Sequence, residues 1–136
     1  MDLKRVNVFL LTFFYVFAGL NHFINPDFYL SLIPEYLPFP DAINIISGIA
    51  EVVLGIGVLL NKTRKIASYL LVLMLISFIP AHIYFLEIGS CVETGLCVPE
   101  WVSWVRLLII HPVLIVWALS VRNMNVISER VGLKEE

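Results

Sequence analysis

Apolar residues run almost unbroken through four stretches of this chain, at 6–24, 42–60, 66–86 and 101–121. Each is about 20 residues long, and at ~1.5 Å of rise per residue such a helix matches a ~30 Å hydrocarbon core. The pattern predicts an all-α, transmembrane four-helix bundle that occupies residues 1–136 as a single domain and leaves no room for a separate soluble one. Lys4 and Arg5 ahead of the first run resemble the start of a signal peptide, but the run is too long and no A-x-A-like cleavage site follows, so it reads as a retained first helix.

The connections are unequal. Asn61–Lys65 is short, which makes the second and third helices antiparallel neighbours. Between the first and second helices, Asp27–Pro40 contains Pro34, Pro38 and Pro40, which exclude a long helix. It also carries Phe28, Tyr29, Tyr36 and Phe39, rings that favour the headgroup level of a bilayer. This segment either anchors the chain at the interface or folds over the mouth of the bundle as a lid. The tail Asn123–Glu136 is polar and expected to be partly disordered.

Composition agrees with the pattern. Of 136 residues 60% are hydrophobic and 15% charged, against about 25% charged in a soluble protein. Mean hydropathy is +0.91. The basic residues are segregated: Lys4 and Arg5, then Lys62, Arg64 and Lys65, then Arg122, Arg130 and Lys134. The other two loops, Asn25–Pro40 and Glu87–Glu100, hold no Lys or Arg, and the acids Asp27, Glu35, Asp41, Glu87, Glu93 and Glu100 lie in or beside them. The positive-inside rule then predicts an integral inner (plasma) membrane protein with both termini cytoplasmic. Its expected partners are the lipid bilayer and a protein partner or further copies of itself, not nucleic acid.

Cys91 and Cys97 fall in the second of those outer loops, where a disulfide can persist. A structural loop staple is the leading reading and a redox-active pair the alternative, although no C-x-x-C spacing or basic neighbour supports the latter.

Ionisable groups at membrane depth are costly and mark functional sites or their supports. Here they are His22, Glu51, His82, Arg106 and His111. Counted along the helices, they gather in the outer half of the bundle. Glu51 shares a stripe with Gly48 and Gly55, and His22 one with Tyr15, Ala18 and Gly19, so both should face other helices. Arg106 and His111 lie about 140° apart on an ideal helix and converge only if Pro112 kinks it or the site is wide. The lone acid and the lone deep guanidinium, Glu51 and Arg106, are expected to pair, as a structural ion pair or as part of a ligand or proton site. No two histidines have the i, i+4 spacing of a helical metal motif, so no metal site is predicted and histidines hydrogen-bonded across helices are expected instead. The predicted ligand pocket comprises Asn21, His22, Ser47, Glu51, His82, Arg106 and His111; no catalytic residue is assigned.

The segments Ala18-Gly-Leu-Asn-His-Phe-Ile-Asn-Pro26, Ile33-Pro34, Leu37-Pro38-Phe39-Pro40, Ser47-Gly-Ile-Ala-Glu51, Leu54-Gly-Ile-Gly57, Thr63-Arg64, Ile79-Pro-Ala-His-Ile-Tyr84 and Trp104-Val-Arg106, together with Tyr29, resemble the DoxX-like family of membrane proteins. The resemblance spans all four helices. The chain departs from the family pattern at His82, where relatives commonly carry Asn, and at Arg106-Leu-Leu-Ile-Ile110, which lacks the Pro and Gln of R-x-P-L-Q. What the resemblance implies is a four-helix membrane bundle. Function it implies only broadly, since relatives include a thiosulfate–quinone oxidoreductase subunit, an oxidative-stress membrane component, a maturation protein and a receptor chaperone. Two expectations follow: a redox-associated membrane subunit with a quinone-like ligand in the outer-half pocket, or a non-enzymatic assembly factor for another membrane or exported protein. No cofactor motif is encoded; a bound quinone or lipid is the expected occupant, and an electron path would need a partner.

Overall fold

The computed structural model of the chain describes residues 2–92 and 95–125. Its elements are α1 (Leu3–Ile24), α2 (Pro26–Leu30), α3 (Pro40–Leu59), α4 (Arg64–Glu87), α5 (Glu100–Val105), a π-helical turn (Arg106–Ile110) and α6 (His111–Val121). The last three follow without a break, so α1, α3, α4 and the unit Glu100–Val121 are four helices long and apolar enough to cross a membrane. The protein is an all-α four-helix bundle and reads as a membrane protein. The tail from residue 126, with Arg130 and Lys134, and the loop acid Glu93 lie outside the described residues.

Local signals explain the helix starts. The Asp2 side chain accepts a hydrogen bond from the Lys4 backbone N–H at 3.1 Å and caps α1. Pro40 occupies the first turn of α3, where its missing N–H costs nothing. Phe39 before it has φ 58°, a left-handed conformation uncommon for a bulky residue, and the chain turns sharply there into α3.

The core follows from glycine spacing on α1 and α3. A Cβ added to Gly19 would lie 2.6 Å from the Gly48 carbonyl oxygen, and one added to Gly48 would lie 2.8 Å from the His22 Cβ. The two backbones are thus in direct contact, as small residues permit in membrane helices. Towards the other end, Val8, Leu11 and Tyr15 of α1 close over Val58, Ala67, Leu71 and Leu75, with Ala118 and Val121 of α6. Outside, Phe13, Phe17, Ile46, Val53, Leu73, Ile109 and Val116 are exposed on the helix faces. An apolar exterior of this extent suits a bundle surrounded by acyl chains.

Arg64 departs from its expected place as a loop charge. It is 1% exposed, and its guanidinium donates to the carbonyls of Val58 at 2.7 Å and Leu59 at 2.8 Å, to Asn61 Oδ1 at 2.6 Å and to the Met124 carbonyl. The last carbonyls of a helix have no partner of their own, and Arg64 supplies one while tying the α3–α4 turn to the end of α6.

At the opposite end, Cys91 and Cys97 form a disulfide with S–S 2.02 Å. The loop hydrogen-bonds within itself, Val92 N to Leu96 O and Val98 N to Ser90 O, each 3.0 Å. It also reaches the segment after α1: a Cβ on Gly95 would lie 3.2 Å from Ser31 Oγ.

Candidate functional site

His22 sits in the last turn of α1 and is 6% exposed. Its Nδ1 lies 2.7 Å from Asn44 Oδ1, and Asn44 Nδ2 donates to the His22 backbone carbonyl at 3.2 Å. The second bond fixes the amide: Oδ1 must face the ring, and an amide oxygen only accepts, so Nδ1 carries the proton. In the neutral ring Nε2 is then the lone-pair nitrogen. It points at Glu51, with Oε2 at 3.7 Å. That is too long for a hydrogen bond, and Oε2 is buried without any other protein partner.

α2 exists to hold one ring. Pro26 starts it, and Tyr29 is carried back over His22 with ring centroids 3.6 Å apart and planes at 23°. The Tyr29 hydroxyl accepts from Asn21 Nδ2 at 3.0 Å, and Asn21 Oδ1 accepts from Asn25 Nδ2 at 2.6 Å. Burial raises the Tyr29 phenol above its ordinary value, so it stays neutral around pH 7. Beyond α2, Leu32 and Pro34 are buried against the bundle end. The 27–40 segment is therefore a roof as well as an anchor, since Tyr36 and Phe39 remain exposed.

The facing wall comes from α4 and the π-helical turn. The His111 backbone N–H bonds to the Arg106 carbonyl, an i→i+5 bond that widens this turn. The wider turn departs from ideal helical spacing, yet it does not bring both side chains into one space: Arg106 lines the cavity and His111 does not. The His111 ring makes an edge contact with His82 at 4.8 Å, and its Nε2 bonds to the Leu75 carbonyl at 2.7 Å. Arg106 lies over the Phe85 ring, 5.9 Å from its centroid, and has no hydrogen-bonded or ion-paired partner among the described residues.

Between these walls is a cavity of about 400 Å³. His22, Tyr29, Asn44, Ser47, Glu51, His82 and Arg106 supply its polar atoms, and Leu32, Ile33, Leu37, Ile43, Phe78, Pro80 and Ala81 most of its surface. A largely apolar cleft with a few converging polar groups has the make-up of a small-molecule site.

Five of the seven expected pocket residues line this space: His22, Ser47, Glu51, His82 and Arg106. Two do not. Asn21 is turned to the Tyr29 hydroxyl and acts by holding that ring, while His111 is consumed by the Leu75 carbonyl behind His82. The expected Glu51–Arg106 pair is also corrected, because the carboxylate turns to His22 across the close α1–α3 contact while Arg106 stacks near Phe85. Asn44 and Tyr29 join the site without being among the expected residues. Asn44 could have been found, since with Gly48, Glu51 and Gly55 it completes one stripe of α3. The fold-back agrees with the lid reading of the Asp27–Pro40 segment, but nothing in the sequence singles out Tyr29 as the ring that lands on His22.

Chemically, the arrangement offers two neighbouring acceptor atoms, His22 Nε2 and Glu51 Oε2 at 3.7 Å, in the same cavity as a guanidinium with unused donors. Among the described residues neither Glu51 Oε2 nor the Arg106 guanidinium has a hydrogen-bond partner, and both groups line the same cavity. Among the described residues no group of three or more His, Cys, Asp or Glu side chains is arranged to hold a metal ion.

The chain belongs to the family described as Domain of unknown function (DUF8561), whose model matches residues 11–122. No curated protein and no solved structure matches it.

Proposed function

We propose that this protein is a redox-associated membrane subunit that binds a quinone-like ligand in the cavity between α1, α3, α4 and the π-helical turn. The observation that carries the reading is the pair of unsatisfied groups facing one apolar space, the Glu51 carboxylate beside His22 and the Arg106 guanidinium. Burying either without a partner is unfavourable, so a ligand with an acceptor oxygen for Arg106 and a hydroxyl that donates to His22 Nε2 or Glu51 would relieve both. A ring bearing two opposed oxygens has that form when the one at His22–Glu51 is a hydroxyl, as in the reduced, quinol state. Tyr29, Phe78 and the imidazole of His82 offer flat or apolar surfaces to such a ring. The resemblance to the DoxX-like family supports the same direction.

On this reading the disulfide end of the bundle lies outside an inner (plasma) membrane, and the termini and the α3–α4 turn face the cytoplasm, following the basic residues. A ligand oxygen at Nε2 of His22 would exchange a proton with the His22–Glu51 pair as its redox state changed. Electrons would pass to a partner protein. The test is chemical: protein purified in mild detergent without added ligand is extracted with organic solvent and the extract analysed by mass spectrometry. The reading expects a quinone near one per protein in wild type and a clear loss in Arg106→Leu. Equal quinone in both preparations, or none in either alongside a reproducibly co-purified protein, would favour the assembly-factor alternative.

A further inference from the structure

The roof and the side of the cavity differ in a way that bears on what can reach it. At the disulfide end, Leu32 and Pro34 are buried over the opening, with Ile33 and Leu37 beside them. On the α4 side, Ser77 and Pro80 line the same cavity, yet both are exposed at the bundle surface. Ser77 is about 15 Å from the Glu87 end of α4 at the rise of a regular helix, so this exposed edge lies well inside the hydrocarbon span.

Three local features keep the side open. α3 and α4 touch at the Arg64 end, where a Cβ on Gly57 would lie 3.0 Å from the Ala67 Cβ, and the cavity separates them towards the other end. Pro80 lacks an N–H and so removes a helix bond at the level of the opening. Ser77 Oγ donates to the Met74 carbonyl at 2.6 Å, so its hydroxyl is satisfied within the helix and does not demand water. The edge is therefore compatible with contact to lipid chains.

We propose that the cavity is loaded sideways from the bilayer and takes a lipid-soluble ligand whose hydrocarbon tail leaves between α3 and α4, past Ser77 and Pro80. The head group sits at His22, Glu51 and Arg106. This deepens the quinone-type reading and rests on it for the head group; what it adds is the tail, its route and the lipid phase as the source. A water-borne ligand would have to displace the buried Leu32 and Pro34, whereas a tailed one need only slide in at the depth it already occupies.

The experiment compares two probes, ubiquinone-0 with no tail and decylubiquinone with one, on wild type and Ser77→Trp in phosphatidylcholine nanodiscs, with affinities corrected for partition into lipid. Ser77→Ala controls for the lost hydroxyl, and circular dichroism checks that each variant is folded. The proposal expects decylubiquinone to bind wild type more tightly than ubiquinone-0, and Ser77→Trp to weaken the tailed probe by about tenfold while leaving ubiquinone-0 within roughly twofold. Unchanged decylubiquinone binding in Ser77→Trp overturns the side route and leaves the head-group site standing. Loss of both probes in a folded Ser77→Trp also overturns it, since the slot would then not be separable from the head site. Failure of both probes on wild type removes the quinone-type reading itself, and the inference with it.

Discussion

His22 and Asn44 hold each other from both ends of a side chain: Nδ1 meets Oδ1 at 2.7 Å, and Nδ2 returns to the His22 carbonyl at 3.2 Å. This reciprocal contact sets the imidazole orientation and turns Nε2 towards Glu51. It joins α1 to α3 one turn beyond the Gly19–Gly48 approach, so backbone packing and site geometry are fixed by the same interface.

Asn44→Ala should therefore cost about 1–3 kcal/mol, the penalty for leaving a buried donor without an acceptor. Asn44→Asp, which keeps an acceptor at that position, should retain more of the site geometry than alanine. Thermal or denaturant unfolding of the detergent-purified variants reads this. An Asn44→Ala protein as stable as wild type would mean the imidazole finds another partner.

Two double-mutant cycles separate the observed pair from the expected one. Glu51→Gln with His22→Gln should be non-additive by about 0.5–3 kcal/mol, as for residues in contact. Glu51→Gln with Arg106→Gln should add to within about 0.5 kcal/mol, as for sites without a shared partner. The reverse result would mean that Glu51 turns to Arg106 in the folded protein.

Gly19→Ala and Gly48→Ala each place a methyl group where backbone or a neighbouring Cβ already stands, at 2.6 Å and 2.8 Å. Overpacking of this kind costs about 1–3 kcal/mol, and because it separates α1 from α3 it should also weaken the His22–Asn44 contact. A folded Gly19→Ala variant with unaltered melting temperature would contradict the close approach.

The loop disulfide is short-range. Replacing Cys91 and Cys97 with Ser should lower stability by at most about 2–3 kcal/mol and leave helical content unchanged, since the closed loop is small. Both cysteines are exposed. In intact cells a membrane-impermeant reductant followed by an impermeant maleimide should label them if the disulfide end faces out; labelling only after lysis would invert the orientation.

How much of this is legible in the sequence varies with the physics involved. Span lengths are, because a water-soluble fold seldom keeps about 20 consecutive residues apolar. Facing of Glu51 and His22 is, because glycine and polar residues repeat at helical spacing. The pairing of Glu51 is not. Charge complementarity points to Arg106, but the choice is made by backbone distance, and the glycine contact brings α1 nearer to Glu51 than the Glu100–Val121 helix. The irregular turn between Arg106 and His111 is only partly legible: Pro112 signals an irregularity, while a single i→i+5 turn leaves no mark in hydropathy. Tyr29 has the pattern of an interfacial ring, because only the return of the chain through Pro26 brings it onto His22. Arg64 has the pattern of a loop charge, because a buried guanidinium capping a helix end carries the same one-dimensional signature as a cytoplasmic one.

Equilibrium binding of decylubiquinone to wild type, Glu51→Gln and Arg106→Gln in phosphatidylcholine nanodiscs decides whether His22–Glu51 and Arg106 flank a ligand site. Saturable binding at one site per protein is expected for wild type, with affinity reduced by about tenfold or more in each folded variant, since each loses a charged hydrogen-bonding group. Equal affinity in all three proteins, or binding that rises without saturation, would contradict it.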